Sequence, residues 1–428
     1  MCRVTASTTP ARVTADVCPG VGRPFAAADG SLVRLRPAGR PVSVTGLARL
    51  LDLVAGQPDP SIQLTSRAAL QLRGLPDPLP PEAVAVVREA GLLPSTTHEL
   101  VRNVVASPLS GLDGRGHADV RPLVVTLDRA LCATPALSDL GGRFLFCVDD
   151  GRGDVAGEAS DLGVVALPDG AAVVTAGSSG RGWRLPLERV VPMLVELAEE
   201  FVTRRARGES VWHVDELASP LGPAPTASSH QATVSHVAHR PLGAVGPHAV
   251  VGVPLGLLTR GHVAGLARVT DHVLVTPWRS LVVVDGAGGL TDLSEAGLVV
   301  DAGSPWARLH ACTGLPGCRR SAIDTRAMAS QLAPNLESAP APGRPGADRT
   351  ARPVHVSGCE RRCGTPSTPF VDVLAPGSLD EALAIVRRAD ASARTYPTAA
   401  PTADPATPTT GATHPARPPA SATRQERP

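Results

Sequence analysis

Lysine is absent: all 41 basic residues of the 428 are arginine. Without a lysine amine the chain has no means for Schiff-base chemistry or a Walker-type phosphate loop. Acidic residues number 40, and the formal net charge of +1 steers the chain toward neither nucleic acid nor an anionic membrane. Aromatic residues are scarce as well, with five Phe, four Trp and one Tyr. The core must therefore be built from Val, Leu and Ala, and platforms for stacking single-stranded nucleic acid are missing. No run approaches the roughly 20 apolar residues of a membrane helix, and the opening MCRVTASTTPARVTADVCPGVG lacks the apolar stretch of a secretory signal. The expectation is a cytoplasmic protein whose eight cysteines are ligands or bystanders rather than disulfides.

Glycine and proline are abundant, 85 residues together. That is about a fifth of the chain against a usual ~12%, so long loops are expected. Of the 38 residues 391–428, 26 are Ala, Pro or Thr, a composition that breaks helix and ladder and has little to bury. The first twenty residues read similarly. A Pro/Ser/Ala-rich stretch at 218–238 divides the folded part into halves, and another at 337–351 reads as a surface loop. Apolar spacing predicts helices at 45–55, 81–90, 120–131, 262–270 and 379–389, and a long one at 187–206 whose Pro192 moves the true start to about Val190. Strands are expected at 31–35, 62–65, 70–73, 143–148, 163–166, 171–175, 250–254, 281–285 and 354–356. This mixture indicates an α+β or α/β protein.

An internal repeat organises these elements. GLARLLDLV from Gly46 recurs as GLARVTDHV from Gly265. In the same order, LTSRAALQL around Arg67 answers VTPWRSLVV around Arg279, REAGL ending at Leu92 answers SEAGL ending at Leu298, and RNVVASPLSG answers LHACTGLPGC. Four matches in order indicate duplication about a pseudo-two-fold axis. Such an axis brings corresponding loops together at a cleft, where ligand sites tend to lie. Arg67, Arg102 and Arg279 become candidates for one shared cavity.

Four cysteines carry the chemistry. Cys312 and Cys318 form Cys-x5-Cys, Cys359 and Cys363 form Cys-x3-Cys, and forty residues separate the pairs. Four soft thiolates from two glycine-bordered loops are what an iron–sulfur cube needs. Structural zinc and unrelated thiols are the alternatives, although zinc usually takes two to four residues between paired cysteines. Cys2, Cys18, Cys132 and Cys147 read as idle or buried thiols. A strand–glycine–helix pattern at 281–293 resembles a dinucleotide fingerprint, but Thr291 stands at the third glycine and the repeat explains the pattern better. Asp149 and Asp150 read as acid–base candidates or as a solvated turn.

These cysteine pairs, with LTSRAALQLRGL and RNVVASPLSG, resemble the sirohaem-dependent sulfite and nitrite reductase superfamily. ACTGLPGC and HVSGCERRCG bring the likeness nearest to its precorrin-3B synthase branch. The resemblance spans about 22–390. It implies two ferredoxin-like half-domains and two α/β domains about a pseudo-dyad: half-domains at 22–93 and 241–300, α/β domains at 94–215 and 301–390, a linker at 216–240, and disordered ends at 1–21 and 391–428. It implies that Cys312, Cys318, Cys359 and Cys363 hold a [4Fe–4S] cluster, and that Arg67 and Arg102 face a macrocycle and an anionic substrate. Where the reductases carry a lysine pair for proton delivery, this chain has Arg143 and Leu145. An aliphatic chain cannot donate a proton and guanidinium is a poor acid, so six-electron reduction is disfavoured.

For the precorrin-3B synthase branch the resemblance implies hydroxylation of precorrin-3A by dioxygen with closure of a γ-lactone. Electrons would come indirectly from NADH, through an electron-donor protein.

 The carriers are thus a reduced nicotinamide and an electron-donor protein, with the tetrapyrrole and O2 as substrates and no nucleic acid or membrane partner. Planar guanidinium groups pair bidentately with carboxylates, which makes Arg67, Arg102, Arg143 and Arg279, with Arg73, candidate anchors for the substrate's acetates and propionates. Each arginine taken singly is more often a solvated surface residue. A second non-haem iron or a sirohaem is the remaining cofactor expectation, with His98, His310 and His355 as candidate iron ligands, none assigned. The alternatives are a sirohaem sulfite or nitrite reductase and a non-catalytic iron–sulfur electron carrier.

Overall fold

The computed structural model describes residues 16–179, 181–209, 211–228, 241–336, 352–366 and 368–395. Two antiparallel five-stranded sheets share one hydrophobic core. The first is built on the strands Phe25–Ala27, Gly30–Leu35, Leu70–Leu75 and Ile62–Leu64; the second is built on Gly243–Val245, His248–Gly252, Ser280–Val283 and His272–Val275. Each takes its fifth strand from the other half of the chain. Val42–Ser43 pairs with His272–Val275, and Leu257–Leu258 pairs with Ile62–Leu64. Neither half-domain is therefore closed within the boundaries 22–93 and 241–300, because backbone groups at each sheet edge are satisfied only by the partner half.

The duplication is visible at the level of single atoms. Ser43 caps the helix Val44–Asp52 by accepting from the Gly46 N–H, and Thr259 caps Arg260–Ala267 by accepting from the His262 N–H. A Cβ on Gly46 would lie 3.1 Å from the Ala90 Cβ, and one on Gly265 would lie 2.2 Å from the Ala296 Cβ. Those alanines belong to the matching REAGL and SEAGL phrases. A further pair escapes the sequence comparison: Ala38 and Leu255, each after a proline and before a glycine, both take positive φ, 55° and 52°. The register corrects one match. Thr65 accepts from the Ala69 N–H as Thr276 does from the Ser280 N–H, and Ala68 and Arg279 share positive φ. Arg67 is thus the counterpart of Trp278, not of Arg279.

A six-stranded sheet follows, parallel from Val104–Ala106 through Phe146–Asp149 to Leu162–Ala166 and antiparallel beyond. The helices Arg121–Ala133 and Val190–Ala206 contribute Leu127, Leu131, Leu194 and Phe201 to its core, all almost completely buried. A three-stranded parallel sheet, Leu309–Ala311, Val354–Ser357 and Val371–Leu374, packs on Thr325–Leu332 and Leu379–Thr395 around a third core. These elements realise the α+β class with duplicated half-domains.

Three boundary expectations change. Residues 16–21 are ordered, because Glu99 accepts from the N–H groups of Val21 and Gly22 at 2.5 and 2.7 Å; residues 1–15 lie outside the described set. Part of the expected linker is structured: Ala227–Ser228 pairs with the strand Arg181–Pro186, while 229–240 lies outside the described residues. The C-terminal helix runs on to Thr395 before the undescribed 396–428, and the expected loop at 337–351 is also outside the described set.

Candidate functional site

The Cys312 loop leaves the strand Leu309–Ala311, and the Cys359 loop leaves its parallel neighbour Val354–Ser357. Both loops thus emerge at the same end of one sheet. The Cys312 N–H donates to Val356 O at 3.0 Å, and the Gly358 N–H points at Cys312 Sγ at 3.4 Å. Burial pushes the Cys363 thiol up, and the neighbouring Cys359, Cys312 and Cys318 raise it further, so all four sulfurs share one electrostatic neighbourhood. Among the described residues no three His, Cys, Asp or Glu side chains converge tightly enough for a single metal ion. The backbone leaves no room to spare here: a Cβ on Gly358 would fall 1.7 Å from Ser321 Oγ, and one on Gly314, at φ 68°, 2.4 Å from Thr325 Oγ1. The donor set and the glycine cradle fit a [4Fe–4S] group.

The Ser107 loop is the counterpart of the Cys312 loop in the first half. The Ser107 N–H donates to Val148 O at 3.0 Å, and the Asp150 N–H donates to Ser107 Oγ at 3.1 Å. Serine replaces cysteine in an otherwise matching backbone arrangement. The sheet face opposite each loop differs in the same sense. Across the first sheet Arg34, Gln71 and Gln63 stand in one register row, joined by Arg34 Nη2 to Gln71 Oε1 at 3.4 Å and Gln71 Nε2 to Gln63 Oε1 at 2.9 Å. Across the second sheet the corresponding row is Val250, Val282 and Leu274, sealed by Leu109. Two pseudo-equivalent positions thus become one polar hollow and one apolar plug. The hollow, about 340 Å³, lies between Gln63, Gln71 and Arg73 on the sheet and Thr313, Pro316 and Gly317 of the cysteine loop. Arg73 bridges the two walls, pairing with Asp29 at 2.8 Å and donating to Gly317 O at 2.7 Å.

The arginines expected to converge do not. Arg102 is 1% exposed and forked onto Asp128, with 2.6 and 3.2 Å contacts, and also donates to Arg36 O; it is an internal brace. Arg143 turns its guanidinium over the Trp212 ring, 5.7 Å from the centroid, and presents only its carbonyl to Arg67 Nη1, at 2.9 Å. Arg279 reaches away to His310 Nδ1 and to Gly364 O, beside Cys363. Leu145 is buried with Val105, Val155 and Trp278.

Two arginines that the motif comparison passed over are better placed. Arg36 is 3% exposed, and its Nε and Nη2 have no hydrogen-bond partner; Arg34 Nε is likewise unpartnered. Burial pulls the Arg36 guanidinium down to about 10, with Arg34 adding repulsion, and Arg67 lowers Arg34 in turn. Buried guanidinium N–H groups without acceptors are suited to an incoming carboxylate. The available sequence signal was the alternation in SLVRLR, which places both arginines on the non-core face of their strand.

None of the remaining candidates lines the hollow. His98 bonds Thr97 Oγ1 and Thr134 O. His310, His355 and Asp372 share a register row, but Arg279 occupies His310, and burial with the Arg279 charge holds His355 down near 4. Asp149 and Asp150 are fully buried rather than solvated. Asp149 accepts four backbone N–H groups, from Gly151, Gly153, Val155 and Ala156, while Asp150 pairs with Arg152.

No family model matches the chain. A precorrin-3B synthase from a Sinorhizobium species is 24% identical over 377 residues, covering 82% of this chain and 78% of the relative. The ferredoxin–nitrite reductase of Synechococcus elongatus is 26% identical over 399 residues, covering 80% and 76%. A ferredoxin sulfite reductase of Mycobacterium tuberculosis is 33% identical over 144 residues, covering 31% and 26%. Among solved structures, the Mycobacterium tuberculosis NirA protein matches with a TM-score of 0.55 and 21% identity over 78% of this chain and 69% of that one. Among the described residues no helix is long and apolar enough to cross a membrane. In sequence and in fold the chain fits the superfamily that unites precorrin-3B synthase with the sulfite and nitrite reductases.

Proposed function

We propose that the chain is an iron–sulfur oxidoreductase of the precorrin-3B synthase type, which hydroxylates a polycarboxylate tetrapyrrole with O2 and closes a γ-lactone. The observation that carries this reading is the asymmetry between the two halves: a polar hollow faces the Cys312–Cys318 loop, and its counterpart is plugged by leucine. Cys312, Cys318, Cys359 and Cys363 would hold the cluster, which supplies electrons one at a time when bound. Arg34 and Arg36 would accept substrate carboxylates through their unpartnered N–H groups, and Arg67 would add charge at the same edge. The Arg73–Asp29 pair holds the sheet against the Gly317 loop and so fixes the width of the hollow. Leu145 keeps the strand beside the site dry and donates no proton, which favours oxygen insertion over six-electron reduction.

The test is turnover. Protein purified anaerobically and given precorrin-3A, reductant and air should yield the hydroxylated lactone; an intact cluster without product overturns the reading. The second reading, a sirohaem-dependent sulfite or nitrite reductase, draws on the likeness to the nitrite reductase. A strong Soret band with a red band in the purified protein would favour it.

A further inference from the structure

Beside the strand that carries Leu145 lies a pair of titratable groups that the site does not otherwise use. The Asp161 side chain is 2% exposed and accepts from the Leu145 N–H at 2.9 Å and the Val214 N–H at 3.1 Å. Its Oδ1 stands 3.8 Å from His213 Nε2, a ring atom that is buried and unpartnered. The other ring nitrogen accepts from the Asp215 N–H at 3.2 Å, which places the imidazole proton on Nε2, toward Asp161. One water, or a small ring rotation, closes a gap of that size. On its far side His213 lines a cavity of about 300 Å³ together with Glu158, Ser160, Thr175 and Asp215. On its near side Asp161 feels the charge of Arg67, whose guanidinium holds Arg143 O at the edge of the candidate site.

We propose that His213 and Asp161 form a proton relay running from the Glu158–Asp215 cavity to the Arg67 edge of the site. This rests on the oxidoreductase reading above. Oxygen insertion consumes protons: the substrate C–H, O2, two electrons from the reduced donor protein and two protons give C–OH and water. With Leu145 aliphatic and Arg143 turned onto Trp212, the strand itself supplies none. Burial raises the Asp161 carboxyl above the usual carboxylate range, against the lowering effects of His213, the two backbone N–H groups and Arg67. Asp215 beside Nδ1 and Glu158 across the cavity are the other charges facing His213.

The test is steady-state kinetics of the intact holoprotein, driven by reduced donor, across pH 5–9. H213Q should lower kcat about 10²-fold at pH 8 with KM within twofold, show a pH profile different from that of wild type, and recover activity with added imidazole. Because His213 is 30% exposed, its variant should fold. D161N should show the same profile without imidazole rescue. Wild-type turnover with H213Q unchanged in rate and profile overturns the relay alone. A wild-type protein inactive on tetrapyrrole, sulfite and nitrite overturns the oxidoreductase reading and the relay with it.

Discussion

Replacing Arg36 by methionine should strengthen the protein and weaken its ligand binding, two effects of opposite sign from one residue. Arg36 is a buried cation whose folded-state value falls from the ordinary arginine range to about 10, chiefly through desolvation. At 1.36 kcal/mol per unit that amounts to roughly 3 kcal/mol of destabilisation while the group stays charged. Because the folded-state value is depressed for a base, the penalty is complete below about pH 10 and is relieved as pH rises from there toward the ordinary arginine range. Against it stand two long hydrogen bonds from Nη1, to Pro19 O at 3.4 Å and Arg34 O at 3.3 Å, each contributing about 1 kcal/mol or less. R36M should therefore be more stable by about 1–2 kcal/mol at pH 7, a rise in Tm of several degrees. Denaturant midpoints and scanning calorimetry measure the first effect. Titration with a polycarboxylate porphyrin, followed by absorbance, measures the second, with an expected loss of tenfold or more in affinity. A less stable R36M, or one that binds the porphyrin as tightly as wild type, refutes the assignment of Arg36 as a carboxylate anchor.

Other outcomes follow from the same geometry. Replacing any one of Cys312, Cys318, Cys359 or Cys363 by serine should deplete iron and acid-labile sulfide, whereas C147S, whose thiol only donates to Val155 O, should retain both. D128N leaves Arg102 buried without its counter-charge and should cost about 3–5 kcal/mol in denaturant unfolding. The His262 ring accepts from the Thr259 N–H, and burial holds its value below 6.5, so the stability it contributes is present above pH 6.5 and is lost as pH falls through the folded-state value. H262Q should flatten that part of the stability–pH curve.

Much of the fold was legible before any coordinates. The predicted helices and strands all exist, and the end at Val190 of the long helix follows from Pro192, because local sterics alone decide where proline can sit. The repeat was legible too, since Gly46 and Gly265 answer to the same close packing on Ala90 and Ala296. Less legible were the strands Val104–Ala106, His272–Val275 and Val371–Leu374, which are short and owe their pairing to distant partners. The arginines were the hardest to place. Arg102 and Arg36 look alike in sequence, yet one is forked onto Asp128 and the other keeps Nε and Nη2 without an acceptor.

The sequence by itself determined the element types, the duplication and the pairing of two cysteine loops, because periodicity, turn chemistry and thiol spacing are local properties. Only the tertiary structure decided which of two equivalent hollows stays open, which arginines keep free donors, and where each half lends the other a strand. Those outcomes depend on what a side chain meets from far along the chain, a matter of packing and desolvation that no local pattern encodes.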